Sequence, residues 1–153
     1  MKGSYGKLGI AVGINTVVMF ILTYALIDSF DHFHPNLNRA YMAVMMSAPM
    51  VIVMLAVMAQ MYPDRRLNLG LKLTAGAVFV LVFTLARTQT PIGDDQFLRS
   101  MIPHHSGAVL MCEQASISDE RLQALCRRII ESQLAEIAEM EALLAQPLDG
   151  SGP

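Results

Sequence analysis

The sequence is poor in several features that mark soluble enzymes and nucleic-acid-binding proteins. Its 153 residues include no tryptophan, two cysteines and only 16 % charged residues, against about 25 % in soluble domains. It has no nucleophile triad, no glycine-rich phosphate loop, no C-x-x-C pair and no internal repeat. The net charge of −2 provides no basic surface for nucleic acid. These absences leave a membrane protein or a small binding domain as the open classes.

Three long apolar runs predict a membrane anchor over residues 1–90. The runs cover about 8–27, 40–61 and 69–86, and about 20 apolar residues suffice for a helix that spans a bilayer. A cleaved signal peptide is the rival interpretation of the first run, but the run is too long and no small-x-small cleavage site follows it. Pro49 lies inside the second run and predicts a kink.

The positive charges predict an orientation for the anchor. One side of the predicted membrane holds five of them, Lys2, Lys7, Arg65, Arg66 and Lys72, and the other side holds Arg39 and Arg87. Basic loops favour the cytoplasm. The N-terminus is therefore expected in the cytoplasm of a bacterium, with the anchor in the inner membrane and the C-terminal part in the periplasm.

The C-terminal part reads as a small acidic helical hairpin over residues 91–146. From Pro91 onward ten acidic side chains outnumber four basic ones, so this part carries −6. One helix is expected from Asp94, as its cap, to about residue 115, with a bend at Pro103. Residues 116–118 form the expected turn, and a second helix capped by Ser118 is expected to end near residue 145. Residues 147–153 are expected to be disordered.

Positions three and four apart share a face of a helix, and each helix of the hairpin has such a stripe. The first stripe holds Phe97, Met101, His104, His105, Ala108, Met111 and Cys112. The second holds Leu122, Leu125, Cys126, Ile129, Gln133, Glu136, Met140 and Leu143. Polar side chains within an apolar seam need partners. Either the histidines and Glu136 bond to each other, or they bind a metal ion.

The flanking methionines favour the metal. Thioether with imidazole is a ligand set for Cu(I) or Ag(I), whereas carboxylate with imidazole suits harder ions. The predicted ligands are Met101, His104, His105, Met111, Met140 and Glu136. Copper is the expected ion, with Cu(I) favoured over silver or another transition metal.

The stretch FLRSMIPHHSGAVLM, from Phe97 to Met111, and the later pattern I-I-x-x-Q-x-x-E-I-x-x-M, from Ile129 to Met140, resemble a known family. It is the domain-of-unknown-function family numbered 305, which includes CopM-like copper-binding proteins. The resemblance covers about residues 94–144. It implies a ferritin-like helical fold, an extracytoplasmic location and metal binding by the matching methionines and histidines. Cys112 and Cys126 depart from the family, which has small residues there.

The two cysteines stand on facing stripes. They can form a disulfide outside the cytoplasm, join the metal site as thiols, or remain apart as small core residues. Counting outward from the expected turn places Cys112 opposite Leu122 and Cys126 opposite Ala108, which argues against a disulfide.

A second group of soft donors lies in and before the second membrane helix. Methionines recur every four residues there, at Met42, Met46, Met50, Met54 and Met58, a stripe that helix packing and lipid contact explain. Met42, Met45 and Met46 stand at the outer end, beside His32 and His34. The two histidines are expected in a solvated loop; the alternative is an accessory metal site made by these five residues.

The sequence thus predicts an all-α protein: three transmembrane helices followed by a ferritin-like helical hairpin. Two helices bury little surface, so a homodimer that forms a four-helix bundle is expected. The predicted function is membrane-anchored binding of copper or silver for tolerance or delivery, and not catalysis. The alternatives are a transporter that uses the Met-rich second helix and a metal-dependent redox enzyme.

Overall fold

The protein is all-helical, as the sequence predicts. The computed structural model describes residues 2–146. Within this range five α-helices follow one another, α1 (Lys2–Leu22), α2 (Leu37–Val57), α3 (Arg65–Thr88), α4 (Asp94–Gln114) and α5 (Glu120–Leu144), and the described residues include no strand. The expected disorder of residues 147–153 falls outside the described residues.

The described chain forms two compact units. The membrane unit contains residues 2–23 and 38–91, and the hairpin unit contains residues 24–37 and 92–146. We call residues 24–37, which precede α2, the connector. The predicted division into residues 1–90 and 91–146 therefore assigns the connector to the membrane anchor, although the connector packs within the hairpin unit.

The membrane unit consists of three helices, α1, α2 and α3, each long and apolar enough to cross a membrane. Their outward surfaces are covered by exposed aliphatic side chains such as Ile10, Val53 and Val80. Such a surface is unfavourable in water and suits lipid. A small core of Leu8, Leu55 and Tyr62 joins the helices at one end. Asn15 donates a hydrogen bond to the Ser47 hydroxyl across 3.0 Å, which pairs two polar groups inside this apolar unit.

All three membrane helices differ at their ends from the apolar runs, and α2 covers Leu37–Val57 where about 40–61 is expected. Helix α1 ends at Leu22, earlier than expected, because the following residues join the connector. Helix α3 begins at Arg65, four residues before its apolar run, because the Asp64 carboxylate caps the amides of Arg66 and Leu67. Apolarity alone locates a span but not the polar first turn of its helix.

The hairpin unit is built on antiparallel α4 and α5. Its core contains Leu98, Ile102, Ile137 and Met140, with Met101 and Leu144 packed against it. Helix α4 continues through Pro103, so the expected bend does not interrupt it. The caps also differ from expectation: Gly93 precedes α4 without a side-chain cap, and Asp119, not Ser118, caps α5 through the amide of Arg121.

Candidate metal centre

A disulfide between Cys112 and Cys126 joins α4 to α5 near their connection, with the two Cα atoms 5.2 Å apart. The register that argued against this pairing is wrong. Ala115 and Asp119 both have extended backbone. Between them the chain turns tightly, because the amide of Ile117 donates to the carbonyl of Ala115 across 2.9 Å. The disulfide shows that Cys112 and Cys126 are level, so the link does not set the register that counting outward from Ile117 assumed.

The same register places the predicted donors in two adjacent layers of the α4–α5 seam. In one layer His105 Nδ1 lies 3.1 Å from Glu136 Oε2. Met101 precedes His105 by four residues and Met140 follows Glu136 by four, so each lies one helical turn along on the same side. Met140 belongs to the buried cluster and Met101 packs against that cluster. One layer of the seam therefore holds an imidazole and a carboxylate, and the adjacent layer holds two thioethers.

The buried face of α4 is rotated from the predicted stripe. It is centred on Ile102 and Val109, which are fully buried, whereas Phe97, His104 and Met111 are exposed. The sequence analysis assumed that α4 packs on α5 alone. Helix α4 also packs on the connector, and two partners on different sides move the centre of its buried face away from His104.

The stripe on α5 shows a smaller shift. Ile137 and Met140 are buried and Gln133 is half-buried, but Leu122, Leu125 and Leu143 remain largely exposed. Part of the predicted core of the hairpin is therefore surface in a single copy of the chain.

The surroundings of His105 disfavour its protonated form. Its pKa is lowered mainly by burial and also by His104, and Glu136 opposes this shift. Nδ1 is buried and, despite its distance to Glu136, makes no hydrogen bond of acceptable geometry. With Nδ1 turned to the carboxylate, Nε2 is the nitrogen left for a metal. A carboxylate beside the other ring nitrogen is a common way to orient a histidine ligand.

The two remaining predicted ligands are at the surface. The ring of His104 lies 6.0 Å from that of His105, centroid to centroid. Met111 is 58 % exposed and is seven residues from His104, which is about 10 Å along a helix. One copy of the chain therefore brings together Met101, His105, Glu136 and Met140, with His104 at the edge, and leaves Met111 apart.

Residues 82–144, which contain α4 and α5, match the model of the family described as "Domain of unknown function (DUF305)". An uncharacterized protein of Acanthamoeba polyphaga mimivirus is 32 % identical to this chain over 111 residues, which cover 71 % of each protein. The chain belongs to the DUF305 family. No solved structure matches it.

The connector lies outside the range of the DUF305 match and nevertheless completes the hairpin unit. Pro103 has no amide hydrogen, so the carbonyl of Arg99, four residues earlier, lacks its helical partner. The Asn36 side chain donates to this carbonyl across 3.1 Å, and also to the carbonyl of His34 across 2.8 Å. Sequence reasoning missed Asn36. The signal that could have found it is Pro103 inside a helical pattern, since the freed carbonyl needs a donor.

A second contact fixes the connector at the middle of the DUF305 helix α4. The buried Ser106 hydroxyl accepts a hydrogen bond from the amide of Asp28 across 2.7 Å and lies 2.8 Å from His32 Nδ1. A Cβ on the neighbouring Gly107 would lie only 3.3 Å from the carbonyl oxygen of Leu26, so glycine permits this close approach. Ser106, which the sequence analysis did not select, thus holds the connector in place.

The expectation that His32 and His34 lie in a solvated loop is wrong. Both are half-buried in the connector, and His34 Nε2 is buried without a hydrogen-bond partner. The pKa of His34 is lowered, first by burial and then by the charges of Arg99 and His32, while Glu141 and Asp95 oppose the shift. Of the predicted accessory set, the connector supplies these two histidines. Met42, Met45 and Met46 belong to α2 in the membrane unit.

The donor set of the DUF305 hairpin fits a soft ion better than a hard one. Within residues 2–146 no three His, Cys, Asp or Glu side chains lie close enough to hold a metal ion. The thioethers of Met101 and Met140 are the further donors that this seam offers. Thioethers select Cu(I) and similar ions.

Proposed function

We propose that this DUF305 protein is a membrane-anchored binding protein for a soft metal ion, copper as Cu(I) in the first place and silver by the same chemistry. The observation that carries the proposal is the pair of adjacent layers in the α4–α5 seam: His105 against Glu136, and one turn away Met101 and Met140 at the same buried cluster. The expected role is metal tolerance or delivery.

Each residue of the seam has a distinct role in this proposal. Met101, Met140 and His105 Nε2 supply the donors, and the carboxylate of Glu136, 3.1 Å from Nδ1, favours the ring orientation that leaves Nε2 for the metal. His104 extends the site toward the surface, and Met111 offers a thioether further along the exposed side of α4. The lowered pKa of His105 favours binding, because protonation of the imidazole competes with coordination.

The location is part of the proposal. The apolar helices indicate a membrane protein, and the bias of lysine and arginine supports an N-terminus in the cytoplasm and a hairpin unit outside, in a bacterial periplasm. An oxidising compartment also fits a disulfide between Cys112 and Cys126. The hairpin unit would then meet metal ions before they reach the cytoplasm.

The arrangement of the membrane unit favours binding over transport. A cavity of about 230 Å³ lies among α1, α2 and α3, and its lining is aliphatic with the hydroxyls of Thr16, Ser47 and Thr74. The methionines of α2 do not line it: Met54 and Met58 pack against the cluster of Leu8, Leu55 and Tyr62, and Met42 and Met46 are exposed on the outside. These thioethers form no shared path within the described part of the unit.

A competition titration tests the proposal. The full chain in detergent, free of metal, would be titrated with Cu(I) against a chromogenic chelator. We expect one tight site in the wild type, and weaker binding by about 10–100-fold after Met101→Leu with Met140→Leu or after His105→Ala. Met54→Leu with Met58→Leu is the matched control and should bind as the wild type does. Equal Cu(I) affinity in all four proteins would reject the proposal.

A triple variant of α2, which adds Met50→Leu to that control, tests transport. Met50→Leu, Met54→Leu and Met58→Leu together should leave copper accumulation in proteoliposomes unchanged if the protein only binds the ion. A loss of copper flux in this variant, with normal binding, would favour a transporter instead.

A further inference from the structure

The hairpin unit has an uncovered face that contains part of the proposed metal site. On α4, Phe97, His104 and Met111 recur every seven residues, and all three are exposed. On α5, Glu136 and Leu143 share that spacing, and Leu125 is exposed nearby. We call these six residues the open face. A seven-residue repeat of this kind is the pattern of a helix seam that packs against other helices.

The two stripes lie on one side of the hairpin. His105, next to His104, contacts Glu136, so the exposed part of α5 that carries Glu136 adjoins His104. The connector covers a different side of α4, through Ser106. Residues 104 and 106 point in nearly opposite directions on a helix, about 200° apart. The chain therefore covers one side of α4 itself and leaves the open face without a partner among the described residues.

The size and charge of the open face match a second copy of this chain. Helices of 21 and 25 residues are about 31 and 37 Å long and together about 20 Å wide, which gives about 600 Å² per chain. A standard interface buries about 800 Å² per partner, so the face is near the size that a dimer needs. Its centre carries the imidazole of His104 and the carboxylate of Glu136. This carboxylate contacts His105 and accepts a hydrogen bond from Ser132 within the chain. In a two-fold arrangement the same patch meets itself.

The position of His104 links this face to the metal. His104 is the central residue of α4, ten residues from each end, and Glu136 lies four residues beyond the centre of α5. Residues near the middle of a self-complementary face lie close to its two-fold axis. His104 of one chain is thereby placed near His104 and Glu136 of the other.

We propose that a second copy of this chain covers the open face, forming a four-helix bundle, and that its His104 completes the soft-metal site. The completion of the site rests on the proposed function, whereas the covering of the face does not. In one copy His104 is a surface side chain beside a half-formed donor set. In the pair, the two His104 imidazoles and the thioethers of both seams surround one central region.

Photo-crosslinking in the full chain tests the covered face. Benzoylphenylalanine would be introduced at Phe97, on the open face, or at Leu134, on the far side of α5. We expect illumination to yield a covalent dimer from position 97 and little from position 134. Crosslinks to lipid or none at position 97, or equal yields from both positions, would overturn the proposal.

Two matched charge substitutions test whether covering the open face contributes to metal binding. Leu125 and Leu134 are equally exposed, at 42 % and 43 %, but lie on different sides of α5. Leu125→Glu should abolish the crosslink from position 97 and weaken Cu(I) binding by about tenfold or more, as expected when ligand geometry is lost, and Leu134→Glu should change neither. A lost crosslink with unchanged Cu(I) affinity would overturn the shared site and leave metal binding intact. Absence of Cu(I) binding in the wild type would end the proposed function, and the crosslink would still report on the dimer.

Discussion

The side-chain amide of Asn36 donates a hydrogen bond to the main-chain carbonyl of Arg99 across 3.1 Å. This carbonyl is the one that Pro103 leaves without a helical partner. A segment between two membrane helices thus supplies the hydrogen bond that lets α4 pass through a proline. The histidine pair of the proposed site, His104 and His105, directly follows that proline. The connector therefore stabilises α4 next to the proposed metal donors.

Asn36→Ala should loosen the first half of α4. A buried acceptor left without a partner destabilises by about 1–3 kcal/mol, so the amides near Pro103 should exchange faster by about tenfold or more. Hydrogen exchange followed by mass spectrometry measures this. In a Pro103→Ala background, residue 103 regains its amide hydrogen and can donate to the carbonyl of Arg99. Asn36→Ala should then have a smaller effect on exchange. An equal effect in both backgrounds would show that Asn36 acts through its other contacts.

Reduction of the Cys112–Cys126 disulfide should destabilise the hairpin unit. The two cysteines are 14 residues apart, and closing a loop of that size contributes about 3 kcal/mol. Dithiothreitol should therefore lower the unfolding temperature of the wild-type chain in detergent. Cys112→Ser with Cys126→Ser should unfold at that lower temperature with or without the reductant. The prediction fails if the reductant leaves the wild type unchanged while thiol labelling shows full reduction.

Acid should open the connector because His34 is buried. Its pKa is lowered from the ordinary value of 6.5 by burial and by Arg99, so the unfolded segment binds a proton more readily than the folded one. The resulting stability is present above pH 6.5 and is lost as the pH falls through the lowered pKa.

Hydrogen exchange of connector peptides, corrected for intrinsic rates, should report faster opening at about pH 5 than at about pH 7.5. Peptides from α3 in the same sample are the internal reference. His34→Gln removes the titrating group and should flatten the dependence on pH. A dependence of the same size in this variant would assign it to other groups.

Glu136→Gln should weaken Cu(I) binding without removing a donor. Loss of a carboxylate that orients a histidine ligand lowers metal affinity by about 10–100-fold. Glu139→Gln is the matched control. Glu139 is an exposed carboxylate of the same helix, and among the described residues it makes no contact with His105. Chelator competition distinguishes the two variants. Equal affinities would mean that the contact between His105 and Glu136 does not serve the metal.

The sequence predicts the helices well because their signals are local. The apolar runs of α1, α2 and α3 are long and apolar enough to cross a membrane, whereas of the buried cluster Leu98, Ile102, Ile137 and Met140 only Met140 lies on a predicted stripe. The contact between His105 and Glu136 is predicted for the same reason, since each side chain lies on a face that its own helix dictates; the metal site itself stays a prediction.

Features that depend on contacts distant in sequence could not be predicted. The extended backbone at Ala115 and Asp119 fixes the register of α5, and no residue pattern in this loop indicates it. The packing of the connector turns His104 outward, and it follows from Ser106 and Asn36, each of which alone looks like an ordinary polar residue. Pro103 and Asn36 indicate the packing of the connector only when they are considered together, because the asparagine bonds to the carbonyl that the proline frees.

The hairpin unit is discontinuous in sequence, since it recruits residues 24–37 from between the first two membrane helices. A fragment that begins at Pro91 would lack Asn36 and the backbone that bonds to Ser106. It would expose the carbonyl of Arg99 and the bare surface of Gly107. Truncation to a soluble tail would thus remove part of the fold along with the anchor, and metal affinities of such a tail would describe a damaged domain. The boundary of the hairpin unit therefore cannot be drawn as a single cut in the sequence.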